Sequence, residues 1–172
     1  MEKLARSALI ERLAHVRLLT LDVDGVLTDG GLYFGDDGRQ WRKFNVKDGL
    51  GIKLAVEAGI EVALITASDT GAIHDRARML GLRHVRVGVE DKLAALMSVI
   101  GELGIGLDAV AHMGDDLNDI PVLAAVGLPL TVADAVDEVI AAAAYVTEKR
   151  GGEGAVREIC DLLVTTRDGG DQ

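Results

Sequence analysis

Short apolar runs alternate along this chain with segments whose apolar residues recur at helical spacing. This alternation predicts an α/β fold, in which a parallel sheet carries helices on both faces in a three-layer, Rossmann-like arrangement. The predicted strands are residues 16–22, 61–66, 84–87 and 110–114, with a shorter one near 129–132. The predicted helices are residues 49–58, 70–80, 92–103 and 118–126, and glycines at positions 59, 81, 104 and 127 are typical helix ends.

One passage interrupts this alternation after the first predicted strand. Residues 31–46 contain two short runs around the turn sequence Gly-Asp-Asp-Gly at 35–38, which predicts an inserted β-hairpin. The hairpin carries much of the chain's scarce aromatic area, in Tyr33, Trp41 and Phe44. Because a single hairpin cannot bury these rings by itself, we expect them to contact another subunit.

Length and composition limit the possible classes of protein. With 172 residues and two prolines, the chain is predicted to form one domain, 1–172, ending in a glycine-rich loop, a terminal helix and a tail over 151–172. The net charge of −10 argues against a nucleic-acid partner, and no apolar run is long enough to span a membrane. Cys160, the single cysteine, excludes an internal disulfide and is predicted to be an inert buried thiol. Together with an N-terminus that lacks a signal-peptide pattern, it favours a cytoplasmic protein.

Two carboxylates follow the first predicted strand. Residues 18–28 read Leu-Leu-Thr-Leu-Asp-Val-Asp-Gly-Val-Leu-Thr, so Asp22 and Asp24 are separated by one residue and precede Gly25. Alternate residues of a strand share a face, which places the two acids on one side. A turn after a strand needs at most one of them, and a carboxylate at the tip of a core strand needs a partner such as a metal ion. The pattern therefore indicates a functional site.

Similar chemistry follows the other predicted strands. Thr66 ends the second strand, Lys92 opens the helix after the third, and the sequence Gly-Asp-Asp-Leu-Asn-Asp at 114–119 follows the fourth. Because ligands bind beyond the carboxyl ends of parallel strands, we expect these groups to converge. Carboxylates without closely spaced histidines favour Mg²⁺ over zinc, and His112, inside a strand, is predicted to be a core histidine. This set supports phosphoryl transfer, in which one carboxylate attacks phosphorus and a second acid protonates the leaving alkoxide.

These four strand-end signals resemble, in order, the motifs of the haloacid-dehalogenase (HAD) superfamily of phosphatases. The likeness extends over about residues 16–164. Residues 22–30, 44–51 and 151–158 are similar to those members that hydrolyse 3-deoxy-D-manno-octulosonate 8-phosphate (KDO 8-phosphate), on the route to lipopolysaccharide. The resemblance implies a capless, Mg²⁺-dependent phosphoric monoester hydrolase that acts on a phosphorylated sugar acid through an aspartyl-phosphate.

The resemblance also implies roles for individual residues. The implied catalytic residues are Asp22 as nucleophile, Asp24 as general acid/base, and Thr66 and Lys92, which hold the phosphoryl group. The implied Mg²⁺ ligands are the side chains of Asp22 and Asp115 and the main-chain carbonyl of Asp24, with Asp119 behind them. The implied substrate-binding residues are Asp24, Asn45, Val46, Lys47, Asp48, Gly49, Lys53, Arg76, Lys92 and Asn118. For Arg76, a solvated helix position is an equal alternative.

Two positions depart from the family pattern. After Thr66 the family usually has Gly-Arg, whereas this chain has Ala67-Ser68, and Lys53 stands where a second arginine is usual. Lysine keeps the charge but loses the bidentate recognition of a carboxylate, and serine loses the charge. A nonulosonate 9-phosphate of the sialic-acid type is therefore the alternative substrate.

Residues 25–65 are predicted to hold only the hairpin and one helix, and residues 67–91 one helix and one strand. Neither segment is therefore large enough to form a lid with its own core. We therefore expect neighbouring subunits to cover the site, in the homotetramer that the resemblance implies. The glycine-rich residues 151–154 are either a mobile tail that reaches an adjacent site or a loop that starts the last helix. Two functions of another class are a phosphoaccepting signalling domain and a catalytically silent assembly domain. The order Asp-x-Asp, Thr, Lys, Asp-Asp argues against the first of these.

Overall fold

The order of helices and strands follows the predicted alternation. A computed structural model describes residues 3–168, which contain seven α-helices and eight β-strands. The helices are α1 (Arg6–Leu13), α2 (Val46–Glu57), α3 (Gly71–Leu80), α4 (Lys92–Leu103), α5 (Ile120–Ala125), α6 (Asp137–Ala142) and α7 (Ala155–Asp168). The strands are β1 (Leu18–Leu21), β2 (Tyr33–Phe34), β3 (Gln40–Trp41), β4 (Glu61–Ile65), β5 (His84–Arg86), β6 (Val110–Met113), β7 (Leu128–Thr131) and β8 (Tyr145–Val146).

The main sheet of the described residues has six strands in the order β5-β4-β1-β6-β7-β8, and every pair is parallel. The central strand β1 lies between β4 and β6. Its last residue, Leu21, is in register with Leu64 on one side and Met113 on the other. The carboxyl ends of the three strands therefore lie at one edge of the sheet, where the loops that follow them meet.

Apolar side chains bury both faces of this sheet. Leu19 of β1 belongs to a core layer that also contains Ile159 of α7. Its neighbour Leu18 points to the opposite face and packs with Leu96 of α4. Successive residues of one strand thus pack into cores on opposite faces of the sheet, and the predicted three-layer α/β fold is confirmed. Cys160 is fully buried in the first layer, where burial raises the pKa of its thiol.

The structure contains elements that were not predicted, and the bounds of others differ from the prediction. Helix α6 and strand β8 were not predicted, because a two-residue strand and a six-residue helix are too short to show a period. Helix α2 begins three residues earlier than predicted, since the Asn45 side chain accepts a hydrogen bond from the Lys47 N–H at 2.8 Å and caps it. Helix α5 is shorter than predicted and follows a 3-10 turn over Leu117–Asp119.

The predicted hairpin is present as the antiparallel pair of β2 and β3. A bridge between Thr28 and Phe44 ties its base to the loop after β1. Tyr33, Phe34 and Trp41 are 58%, 67% and 52% exposed, so the hairpin leaves an aromatic surface uncovered. Within residues 3–168, every helix is too short or too polar to cross a membrane.

Candidate active site

The loops at the carboxyl edge of β1, β4 and β6 surround one pocket. Asp22 follows β1 directly, Thr66 follows β4 directly, and Asp115 comes two residues after β6. The pocket has a volume of about 160 Å³, and its lining residues are Asp22, Asp24, Thr66, Ala67, Ser68, Asp115, Asp116 and Asn118. The structure thus brings together residues from three of the four strand-end signals, and the fourth, Lys92, lies directly behind them.

Lys92 is the first residue of α4, and its side chain is almost completely buried. Its ammonium nitrogen lies 2.8 Å from Asp22 Oδ2 and 2.6 Å from Asp119 Oδ1. Burial alone would lower the pKa of Lys92, but the two carboxylates outweigh it and raise this pKa. The amine therefore stays charged and offers a fixed positive group beside the carboxylate of Asp22.

Asp119 forms an ion pair with Lys92 and accepts further hydrogen bonds from other residues. Its Oδ1 lies 3.1 Å from His112 Nε2, and its Oδ2 accepts from the N–H of Asp115 at 3.2 Å. A carboxylate only accepts, so His112 Nε2 carries the hydrogen, and Nδ1 lies 2.8 Å from the hydroxyl of Thr20. Burial would raise the pKa of Asp119, but the hydrogen bond from His112 and the charge of Lys92 hold it below its usual value. His112 lies in the core, as predicted, but its contact with Asp119 was not predicted.

Among the described residues, Asp115 is a carboxylate of the pocket that has no cationic partner. Its Oδ1 is buried and, among the described residues, has no hydrogen-bond donor. Burial, followed by the negative charges of Asp22 and Asp119, raises the pKa of Asp115 to about 7. Oxygens of these three carboxylates lie within 4.8 Å of one another. Hard cations such as Mg²⁺ take carboxylate oxygens as ligands, so the orphaned oxygen and the excess of negative charge fit a divalent cation.

Asp24 is fixed by an arginine that sequence reasoning missed. Arg42, next to β3 in the hairpin, places Nε 2.6 Å from Asp24 Oδ1 and Nη2 3.0 Å from Oδ2. The hydroxyl of Ser68 donates to the same Oδ2 at 2.6 Å. Burial alone would raise the pKa of Asp24, but the hydrogen bonds from Arg42 and Ser68 outweigh it and hold this pKa below its usual value. No local pattern marks Arg42, because its contact depends on how the hairpin folds back over the strand ends.

The loop after β1 is packed so tightly that two glycines are required. Gly25 has φ +85°, and a Cβ there would lie 1.9 Å from Asp115 Oδ2. A Cβ on Gly151 would lie 1.7 Å from the main-chain oxygen of Gly25, and the N–H of Gly152 donates to the carbonyl of Val26 at 2.9 Å. Residues 151–154 therefore pack against the site of their own chain and lead directly into α7. Of the two interpretations of this segment, the structure supports the loop that starts the last helix.

Most of the residues expected to bind substrate fall into two groups. Asp24 and Asn118 line the pocket, and Lys92 lies behind it, next to Asp22. A second cavity of about 230 Å³, between α2 and α3, is lined by Val46, Gly49, Leu50, Lys53, Arg76, Met79 and Leu80. Arg76 is not a fully solvated side chain: it donates to the carbonyl of Asn45 at 2.8 Å and lies over the ring of Phe44. Within one chain, this second group lines a separate cavity and does not line the pocket around Asp22.

Three residues of the expected substrate loop take other positions. Asp48 is fully buried, and its Oδ1 accepts from the N–H of Arg157 at 2.8 Å, in the first turn of α7. A carboxylate at this place satisfies free N–H groups and complements the helix dipole. Lys47 is exposed and, like Asn45, lines neither cavity. Inside the single chain Asp48 therefore joins two helices rather than lining the pocket.

Comparison with known proteins agrees with this geometry. The profile of the haloacid dehalogenase-like hydrolases matches residues 85–159. The 3-deoxy-D-manno-octulosonate 8-phosphate phosphatase of Yersinia pestis is 45% identical over 159 residues, 92% of this chain and 85% of that protein. The enzyme of the same name from Escherichia coli K12 is 47% identical over 90% of this chain and 82% of its own. The crystal structure of the Moraxella catarrhalis enzyme with magnesium, phosphate and KDO is 35% identical and superposes with a TM-score of 0.93 over 97% of this chain and 96% of that one.

Proposed function

Because this chain belongs to the 3-deoxy-D-manno-octulosonate 8-phosphate phosphatases of the haloacid dehalogenase-like hydrolases, we propose that it hydrolyses KDO 8-phosphate to KDO and phosphate. The observation that carries this proposal is the meeting of Asp22 with the Lys92 ammonium and the Asp115 carboxylate at one pocket. A nucleophile, a fixed positive charge and a cation site are the parts that phosphomonoester hydrolysis needs. The relatives' names and the KDO molecule in the Moraxella structure favour the eight-carbon sugar acid over the nonulosonate alternative.

The reaction proceeds in two displacements at phosphorus. A carboxylate oxygen of Asp22 attacks phosphorus and the bond to the sugar oxygen breaks, while Asp24 transfers its proton to that oxygen. The ionised Asp24 then takes a proton from water, whose oxygen attacks phosphorus and releases Asp22. The pKa of Asp24 is low in the free site, but an incoming phosphate dianion places a like charge beside this carboxylate and raises its pKa, so that it can hold the proton.

Thr66 and Lys92 hold the phosphoryl group during both displacements. Thr66 is buried at the edge of the pocket, and the Lys92 ammonium already lies 2.8 Å from the nucleophile. The side chains of Asp22 and Asp115 and the main-chain carbonyl of Asp24 would hold Mg²⁺ beside them. When bound, it neutralises negative charge on the nucleophile and the phosphate.

Four further assignments belong to this proposal. We infer that 1–172 is a single catalytic domain and that the protein works in the cytoplasm on the route to lipopolysaccharide. It acts as a homotetramer, in which neighbouring subunits cover the pocket. The uncovered aromatic surface of the hairpin supports the tetramer. The separation of the expected substrate residues supports it as well, because Lys53 and Arg76 line a cavity other than the pocket of their own chain.

The test is the release of phosphate from sugar acid phosphates in the presence of Mg²⁺. We expect the highest kcat/KM with KDO 8-phosphate and a lower value with a nine-carbon ulosonate 9-phosphate. The Asp22→Asn variant should lose turnover while its circular dichroism spectrum stays that of the wild type. Steady turnover by this variant would contradict the assigned nucleophile, and a preference for the nine-carbon compound would contradict the assigned substrate.

A further inference from the structure

Arg42 is a buried arginine to which the sequence analysis assigned no role. Its side chain is only 2% exposed although it belongs to the hairpin, most of whose neighbouring side chains face solvent. Its guanidinium makes four hydrogen bonds: two to Asp24, one from Nη2 to Ser68 Oγ at 3.2 Å, and one from Nη1 to Thr70 Oγ1 at 3.1 Å. These partners come from the loops after β1 and β4. Arg42 thus joins three separate parts of the chain at one carboxylate.

The direction of the Asp24 carboxylate depends on these bonds. A carboxyl group at the end of a short side chain turns easily, and the torsion that sets its plane is broad. The fork of Arg42 binds both oxygens in one plane, and Ser68 adds a second bond to Oδ2. In the proposed reaction, negative charge develops on Asp24 as it gives its proton to the leaving oxygen. Donors already aimed at that charge stabilise it without reorganisation.

We propose that Arg42 is a positioning residue, which aims Asp24 at the leaving oxygen and stabilises the carboxylate that remains after proton transfer. This inference rests on the proposed phosphatase function. It makes the hairpin part of the catalytic unit, because the guanidinium reaches Asp24 only when the hairpin lies against the strand ends. A direct contact of Arg42 with the substrate is the less favoured role, since the guanidinium is occupied by protein groups and the side chain is almost fully buried.

The test compares two leaving groups in wild-type, Arg42→Ala and Arg42→Lys enzymes. A sugar oxygen needs a proton as it leaves, whereas p-nitrophenolate leaves readily without one. For the sugar acid phosphate, Arg42→Ala should lower kcat/KM by about 10²-fold, at the lower end of what general acid–base catalysis contributes, with KM almost unchanged. For p-nitrophenyl phosphate the loss should be much smaller. Arg42→Lys should recover part of the activity, because it keeps a charge and one hydrogen bond but not the fork.

The matched control is Arg39→Ala. Arg39 belongs to the same hairpin, is exposed and pairs only with the exposed Asp37, so its removal should leave both activities unchanged. Equal losses on both substrates in Arg42→Ala, accompanied by a lower melting temperature, would mean that Arg42 only supports the fold and would overturn the proposal. A higher KM for the sugar acid with an unchanged kcat would instead assign Arg42 to substrate binding and would also overturn it.

A failure of the proposed substrate gives a different result. In that case the wild-type enzyme itself does not hydrolyse the sugar acid phosphate. The comparison of leaving groups then uses the alkyl phosphomonoester that the wild type hydrolyses best. The positioning role predicts the same selective loss for that compound, whatever its sugar.

Discussion

At the residue scale, the site holds more negative than positive charge. Lys92 is shared between Asp22 and Asp119, and Arg42 is committed to Asp24, which leaves Asp115 with neither. Placing a third carboxylate beside two others is unfavourable unless it is protonated or meets a cation. The raised pKa of Asp115 is the direct consequence, and it makes metal binding and stability depend on pH.

We predict that the metal-free protein loses stability as the pH rises towards and through 7. The pKa of Asp115 is about 7 in the folded chain against 3.8 for an ordinary aspartate, so between these values the folded state binds more protons than the unfolded state. By linkage, stability then falls with pH from about 4 and levels off above 7. The melting temperature, measured from pH 5 to 8.5, should fall by about 5–10 °C for this group. The two pH units between 5 and its pKa correspond to about 3 kcal/mol, and 1 kcal/mol corresponds to about 2–4 °C in a chain of this size.

Mg²⁺ should remove this loss, because the cation neutralises the ionised carboxylate, and its affinity should rise with pH through 7 as Asp115 gives up its proton. In Asp115→Asn, both this share of the pH dependence and the stabilisation by Mg²⁺ should disappear. Asp108→Asn, at the opposite edge of the sheet, is the control and should behave as the wild type. If Asp115→Asn kept the Mg²⁺-dependent rise in melting temperature, Asp115 would not be a ligand.

At the element scale, the segment before α7 supports the loop after β1. The N–H of Gly152 donates to Val26, and Asn45 Nδ2 donates to the carbonyl of Gly152 at 3.1 Å. These contacts join the loop after β1, the start of α2 and the segment that leads into the last helix. The glycines at 151 and 152 allow two segments of main chain to approach closely, because the space between them has no room for a side chain.

We predict that Gly151→Ala affects catalysis more than folding: expressed as free energies, the loss in kcat should exceed the loss in the free energy of unfolding. The new methyl group would meet the Gly25 oxygen at 1.7 Å, and since both partners are main chain, the loop that carries Asp22 and Asp24 must shift. A shift of this size misplaces the nucleophile and can cost about 10²-fold in rate. The measurements are kcat and the thermal melting temperature.

Gly101→Ala serves as the control, because Gly101 lies in α4 with no atom near the position of a new Cβ. That variant should keep full activity and gain up to about 1 kcal/mol of stability from its better helix propensity. A Gly151→Ala enzyme with unchanged kcat would show that the contact with Gly25 does not hold the loop.

At the scale of the whole molecule, the pocket of one chain is small and the hairpin exposes three aromatic side chains. Phe34, Tyr33 and Trp41 are each more than half exposed, and the pocket of about 160 Å³ is smaller than a phosphorylated octulosonate requires. Aromatic surface of this kind marks a site of contact with another protein. The two features have a common explanation if the hairpin lies in a subunit interface that also encloses the substrate.

We predict that Phe34→Asp dissociates the tetramer and raises KM. Sedimentation velocity should give a tetramer for the wild type and smaller species for this variant, because a charge at an apolar contact is left without a partner. Met97→Asp, on the exposed face of α4, is the matched control and should stay tetrameric. A wild-type monomer with full activity at the assay concentration would contradict the proposed assembly.

Much of the fold was predictable because its signals are local. The βα alternation indicated the sheet, and helix α4 has the predicted bounds, Lys92–Leu103, because it starts at a capping aspartate and ends at a glycine. The convergence of Asp22, Thr66 and Asp115 also followed from the sequence, since parallel strands bring their carboxyl ends to one edge. Strand β8 could not be predicted in this way, because two residues carry no periodic signal.

Contacts between residues far apart in the chain were decided only by the tertiary structure. In the sequence, Arg42 is one of several charged hairpin residues, and only the folded hairpin brings it to Asp24. Likewise, Asp48 is an acid with no local mark of its role, and only packing of the start of α7 gives it a hydrogen-bond partner. The sequence by itself determined which chemical groups stand at the ends of the strands, because that depends on neighbouring residues and on the period of a strand. The sequence did not determine which hydrogen-bond donor lies next to each of these groups. Such a bond depends on how distant segments pack together, and local sequence patterns carry no information about that packing.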